Sequence, residues 1–172
     1  SVLTAAAHSE HAARETFRQW AEDEPVDSAR AAFERVAEQE DDHLRRVLER
    51  LDEEPEFGGA GPMHAYLRGR DDTVERVAAG LVGRGLVVTR THAQILSFFV
   101  NEADERTAAL FRELKSETEA ETERGLTLLD ELCGGDGDWD RAQATAEYVI
   151  QVAYDDYADA LSGMGIDPKP VC

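Results

Sequence analysis

The sequence predicts an all-α fold: two antiparallel helical hairpins joined by a long crossover, followed by a fifth, C-terminal helix. Three observations carry this. Apolar residues recur at helical spacing along most of the chain. Clusters of Gly, Pro and Asp interrupt that repeat at only a few places. The breaks between the first four helices run short, long, short. The one stretch that could read as a strand, "GLVVT", is overridden by the helical period on either side.

The first helix spans about 2–22, with Leu3, Ala6, Ala7, Ala13, Phe17 and Trp20 on one side. "EDEPVD" ends it, and Asp27 is the expected N-cap of a second helix over about 28–52. The stripe of that helix is Ala29, Phe33, Val36, Ala37, Leu44, Val47, Leu48 and Leu51. The breaker run "DEEPEFGGAGP" and a helical turn around Met63–Leu67 make the long connection. Asp72 then opens a third helical region reaching about Ala103, kinked near "VGRG" where Gly80, Gly83 and Gly85 crowd together. A fourth helix over about 105–133 stops at "CGGDGD". A fifth, about 138–162, is expected to turn Trp139, Ala146, Val149, Ile150, Ala153, Tyr157 and Leu161 inward. The whole is read as one domain, 1–172, with the bundle over 1–133 and the extra helix and tail over 137–172.

An internal repeat supports the hairpin reading. Residues 20–53 align without gaps on residues 98–131, matching Phe33 to Phe111, Arg46 to Arg124, Leu48 to Leu126 and the "LDE" helix ends. The chain reads as a duplicated helical hairpin with one helix added.

Composition narrows the function. Hydrophobic residues make up 42% of the chain, enough for a packed core, yet the net charge is −19. Sixteen of the 18 basic residues are arginine, the exceptions being Lys115 and Lys169. An acidic, lysine-poor surface over a normal core is expected of a protein working in high salt, where ions screen self-repulsion. The same charge argues against nucleic acid and against anionic membranes as partners. No apolar run approaches the roughly 18 residues of a membrane span. Cys133 and Cys172 form no CxxC pair, so a cytoplasmic, reducing compartment is expected. The chain opens on Ser1 instead of Met, consistent with an upstream segment.

Against this background the second helix is odd. Its apolar stripe continues onto Glu40 and His43, while Asp41 and Asp42 face water. The stripe of the first helix is likewise interrupted by Glu10. An unpaired buried carboxylate costs several kcal/mol, so these positions need a reason. In an antiparallel hairpin Glu10, Glu40 and His43 can meet near mid-height, giving three hard or borderline ligands in a dry interior. The competing explanations are an ion pair of Glu40 with His43 and a pairing of Glu10 with Arg14 one turn on. In the second hairpin the repeat sets Val88, Thr118 and Glu121 opposite Glu10, Glu40 and His43, and His92 opposite Arg14. Glu121 lies on the stripe of Phe111, Leu114 and Thr118, and Glu117 could reach the interior edge. His92 shares a face with Val88, Ile95, Leu96 and Phe99. The candidate ligands are thus Glu10, Glu40, His43, Glu121 and His92. His8 and His11 read as a surface pair, and His64 receives no role.

"SEHAARETF" followed by "AEQEDDHLRRVL" resembles the first hairpin of rubrerythrins, in the ferritin-like superfamily. The matching positions are Glu10, Ala13, Arg14, Phe17, Glu40 and His43. The chain also resembles a rubrerythrin-like group of extreme halophiles. The resemblance implies a ferritin-like bundle binding iron, as one ion or two, with ferroxidase or peroxide-reducing activity. The second half departs from that pattern, lacking both glutamates expected at positions 88 and 118. The paired CxxC knuckles of a rubredoxin-like module are also missing, so turnover would need an external electron donor. A homo-oligomer is the expected state. The alternative is a non-catalytic ferritin-like interaction or assembly module that has lost its site and holds no metal.

Overall fold

The computed structural model describes residues 1–167. Among these the chain is helical, with no strand. Helix α1 (Val2–Asp23) starts where the Ser1 hydroxyl accepts the Thr4 backbone N–H. It ends at Glu24, held in extended conformation because Pro25 follows. Helix α2 (Asp27–Leu48) is N-capped by Val26, not by Asp27 as expected. Asp27 sits inside the first turn, where it favours the helix dipole and pairs with Arg30. The Val26 N–H donates to the Glu24 carboxylate, and no side chain caps the first turn of α2. Beyond Leu48 the chain tightens into i→i+3 turns, so α2 stops short of residue 52.

Helix α3 (Gly61–Arg68) interrupts the crossover. Helix α4 (Thr73–Arg76) follows, its N-terminus capped by the Asp72 side chain. It runs directly into a π-helical segment (Val77–Gly83) and then into α5 (Arg84–Asn101). The kink expected near "VGRG" is therefore a widened helix, not a break. Two glycines explain its packing. A Cβ on Gly80 would enter the Trp20 ring, and one on Gly83 would come within 2.9 Å of the Ala146 carbonyl oxygen. Helix α6 (Glu105–Leu132) is capped by Asp104, and α7 (Asp136–Gly163) ends the described fold.

Adjacent helices pair within each hairpin, α1 with α2 and α5 with α6. Between hairpins, Trp20 and Phe17 meet Gly80 while Glu10 meets His92, so α1 opposes α5 in antiparallel sense. Arg35 meets Glu121, His43 meets Glu117 and Arg46 meets Glu113, so α2 likewise runs antiparallel to α6. One apolar cluster centres on Phe17, Trp20, Phe33, Leu67 and Val77. A second centres on Leu44, Val47, Phe99, Phe111 and Leu114. Glu10, Glu40, His43 and His92 form a buried polar layer between them.

Helix α7 departs from expectation. It buries Ala142, Thr145 and Val149 against the π-helical segment and its neighbours, while Trp139 and Tyr157 are exposed. Only its first half has bundle to lie on, so the intended inner residues Ala153 and Leu161 are half-buried. Lys169 and Cys172 lie outside the described residues. No helix among the described residues is long and apolar enough to cross a membrane.

Candidate metal centre

Helices α1 and α2 bring Glu10, Glu40 and His43 together. One ligating atom from each lies within 4.8 Å of the others. All three are at most 1% exposed. The His43 Nδ1 stands 3.9 Å from Glu10 Oε2 and 3.9 Å from Glu40 Oε2. While both carboxylates are ionised none of those three atoms has a hydrogen-bond partner, an arrangement that folding alone disfavours. A proton on Glu40 would join the two carboxyl groups and leave His43 Nδ1 alone without a partner.

The other nitrogen of His43 explains the orientation of the ring. Nε2 lies 2.6 Å from Glu117 Oε2. A carboxylate only accepts, so Nε2 carries the proton and Nδ1 presents a lone pair to Glu10 and Glu40. Burial lowers the His43 pKa, which favours this neutral form. Glu117 is itself held by Arg46 and is 43% exposed, linking a fully buried imidazole to solvent. A carboxylate behind a ligating histidine is a recurrent device for fixing tautomer and raising basicity.

Glu40 has a second neighbour. Arg84 Nη1 donates to Glu40 Oε1 at 3.1 Å, and Arg84 is 2% exposed. The Arg84 Nε and Nη2 groups have no partner. Burial, only partly offset by Arg84, raises the Glu40 pKa from 4.5 to about 8, with the Glu10 carboxylate pushing the same way. Without a cation, Glu40 therefore holds a proton at neutral pH.

His92 reaches Glu10, with Nε2 at 3.1 Å from Oε1. Its Nδ1 is buried without a partner, and burial lowers its pKa to about 4. His92 thus steadies Glu10 from behind and stands outside the three-residue cluster. Glu121 is buried, as its stripe requires, but its carboxylate turns to α2. It accepts a two-pronged hydrogen bond from Arg35 at 3.0 and 3.2 Å and a third from Arg124. The structure does not bring it to Glu10, Glu40 and His43.

The competing pairing of Glu10 with Arg14 does not occur, because Arg14 bonds to Glu15 and Asp41. His11 stacks on Phe57 with centroids 4.1 Å apart, and His8 meets the same ring edge-on. His64 is 3% exposed, with Nδ1 at 2.8 Å from the Thr16 hydroxyl.

Sequence reasoning passed over Arg84 and gave Glu117 only an edge position. Arg84, Val88 and His92 are spaced by four, one stripe of α5, and that spacing was the available signal for Arg84. Two oxygens and an imidazole nitrogen, free of partners and shielded above and below by apolar clusters, suit a divalent transition metal such as iron or manganese. No family model matches the chain, and no curated protein or solved structure is significantly similar to it.

Proposed function

We propose that this chain is a ferritin-like, rubrerythrin-like protein that binds iron through Glu10, Glu40 and His43. The single observation behind this reading is the convergence of three unpartnered buried donor atoms. The helix pairing supports the fold part of the reading. With α1 against α5 and α2 against α6, both antiparallel, α2 and α5 run in the same direction. That direction requires the residues between α2 and α4 to travel the length of the bundle, as in ferritin-like crossover topology.

When bound, iron would supply redox chemistry toward oxygen or peroxide. The protein's own residues do the rest. Glu10 and Glu40 would hold the ion once any shared proton is lost to solvent, and His43 would hold it through Nδ1 while its Nε2 keeps its proton and donates it to Glu117. His92 orients Glu10, and the apolar clusters limit water. Electrons for turnover would come from an external donor, since the chain holds no CxxC pair. A homo-oligomer belongs to the same reading.

A second reading, the metal-free assembly module, draws on the arginines. Arg84 on Glu40 and Arg35 on Glu121 already neutralise buried carboxylates in part. Metal analysis after purification in multimolar salt separates the two. Near-stoichiometric iron that is lost in Glu40→Ala supports the first. A protein that stays metal-free when offered Fe(II) without oxygen, and is no less stable for it, supports the second.

A further inference from the structure

The Glu40 carboxylate is divided. Oε2 faces Glu10 and His43 without a partner, and Oε1 is taken by Arg84. A carboxylate placed between two cations offers one oxygen to each, and here one of the two places is filled by a guanidinium. The second hairpin offers no free carboxylate for another ion on that side. Val88 and Thr118 stand where the repeat would demand acids, and Glu121 is committed to Arg35 and Arg124. Arg84 cannot be displaced by deprotonation, because arginine remains charged in proteins.

We propose that Arg84 replaces a second metal ion, so that the centre takes one divalent ion together with one small monoanion held by the free Arg84 N–H groups. Two observations beyond the acidic pair carry this. Arg84 Nε and Nη2 are buried without hydrogen-bond partners, and a planar guanidinium with two idle nitrogens, carrying three N–H donors between them, is suited to an oxyanion or azide-like ligand. The charges also point that way. Two carboxylates against one guanidinium and one divalent ion leave a surplus of one positive charge, which a monoanion cancels in a site where net charge is expensive.

This inference rests on the metal reading above, and the experiment keeps the two apart. Full-length protein is loaded with Co(II), its cobalt content is counted, and azide is titrated while the Co(II) absorption spectrum is followed. The wild-type chain should take one Co(II) and bind azide. Arg84→Gln should weaken azide about tenfold or more, the loss expected for charged hydrogen bonds. Arg84→Lys keeps the charge while losing the forked donors. It should hold one Co(II), fold as wild type by circular dichroism, and still bind azide more weakly than wild type. Absence of Co(II) from the wild-type protein overturns both readings. A single Co(II) with azide affinity indifferent to both Arg84 variants overturns this one alone, as do two Co(II) ions per wild-type chain.

Discussion

Where the first hairpin sets Glu10, Glu40 and His43 into the interior, the second sets Val88, Thr118 and Glu121, and it turns the last of these across to Arg35 on α2. The two align in register with a phenylalanine at the same place, Phe33 and Phe111, yet they differ in helix length and divide the labour of the polar layer. One presents donor atoms without partners. The other presents the groups that hold those donors in position: Arg84 against Glu40, His92 against Glu10 and Glu117 against His43. The lesson is that two hairpins with matching apolar stripes can pack alike while only one carries the candidate ligands, because the packing depends on the stripe and the candidate ligands interrupt it.

Exchanging residues between the copies tests this division most severely. Val88→Glu would bury a third carboxylate beside Glu10 and Glu40, at a cost of about 3 kcal/mol or more in the metal-free protein, read from the urea midpoint. The reverse change, Glu10→Val, should cost no more than about 1–2 kcal/mol while abolishing metal uptake. A Val88→Glu protein that loses no stability and binds twice the metal would show the asymmetry to be superficial.

A smaller effect is expected behind the histidine. Glu117→Gln keeps the shape but loses the carboxylate that holds the His43 Nε2 proton, and should weaken metal affinity about 10- to 100-fold. Removing Glu113, which meets only the exposed face of Arg46, is the control and should change affinity little.

Acidity gives the next test. Folded Glu40 holds its proton up to about pH 8, whereas in the unfolded chain it would release it near 4.5. The native state therefore binds more protons across that interval, and the metal-free protein loses stability as pH rises through it. Metal must displace the same proton, so apparent affinity should climb about tenfold per unit from pH 6 and level off near pH 8. Calorimetric titrations at several pH values would show it, and Glu40→Gln should abolish binding while flattening the stability profile.

The turns that close the hairpins also differ. The first passes through extended Glu24 and Pro25, whereas the second places Ala103 at φ 57, a conformation that costs a residue with a Cβ. Ala103→Gly should raise stability by about 0.5–1 kcal/mol, visible as a higher melting temperature. The equivalent change at Glu24 would lower it, because Glu24 is buried and joins Val26, Thr73 and Arg76.

Much of the scaffold was legible from periodicity, since a helix that packs on one face must write its stripe into the chain. Glu10, Glu40 and His43 were legible for the same reason, as polar residues on an apolar line. Glu121 misled because burial of its α-carbon says nothing about where a flexible carboxylate turns, and Arg35 on the neighbouring helix together with Arg124 on its own decided that. Arg84 escaped notice because it is the first residue of α5, where the stripe of Val88 and His92 runs out against the π-helical segment and its period of 3.6 is not continued. The outer half of α7 was misjudged because an apolar face does not reveal whether the bundle is long enough to cover it.

The widened turn at Val77–Gly83 works as a rotational setting for everything after it. Its wider winding takes up about one residue more than an ordinary helix turning through the same angle, so Arg84 and His92 keep their inward faces across it. A single-codon deletion there should leave both side chains pointing inward, whereas the same deletion between Arg84 and His92 would turn His92 away by about a quarter of a circle.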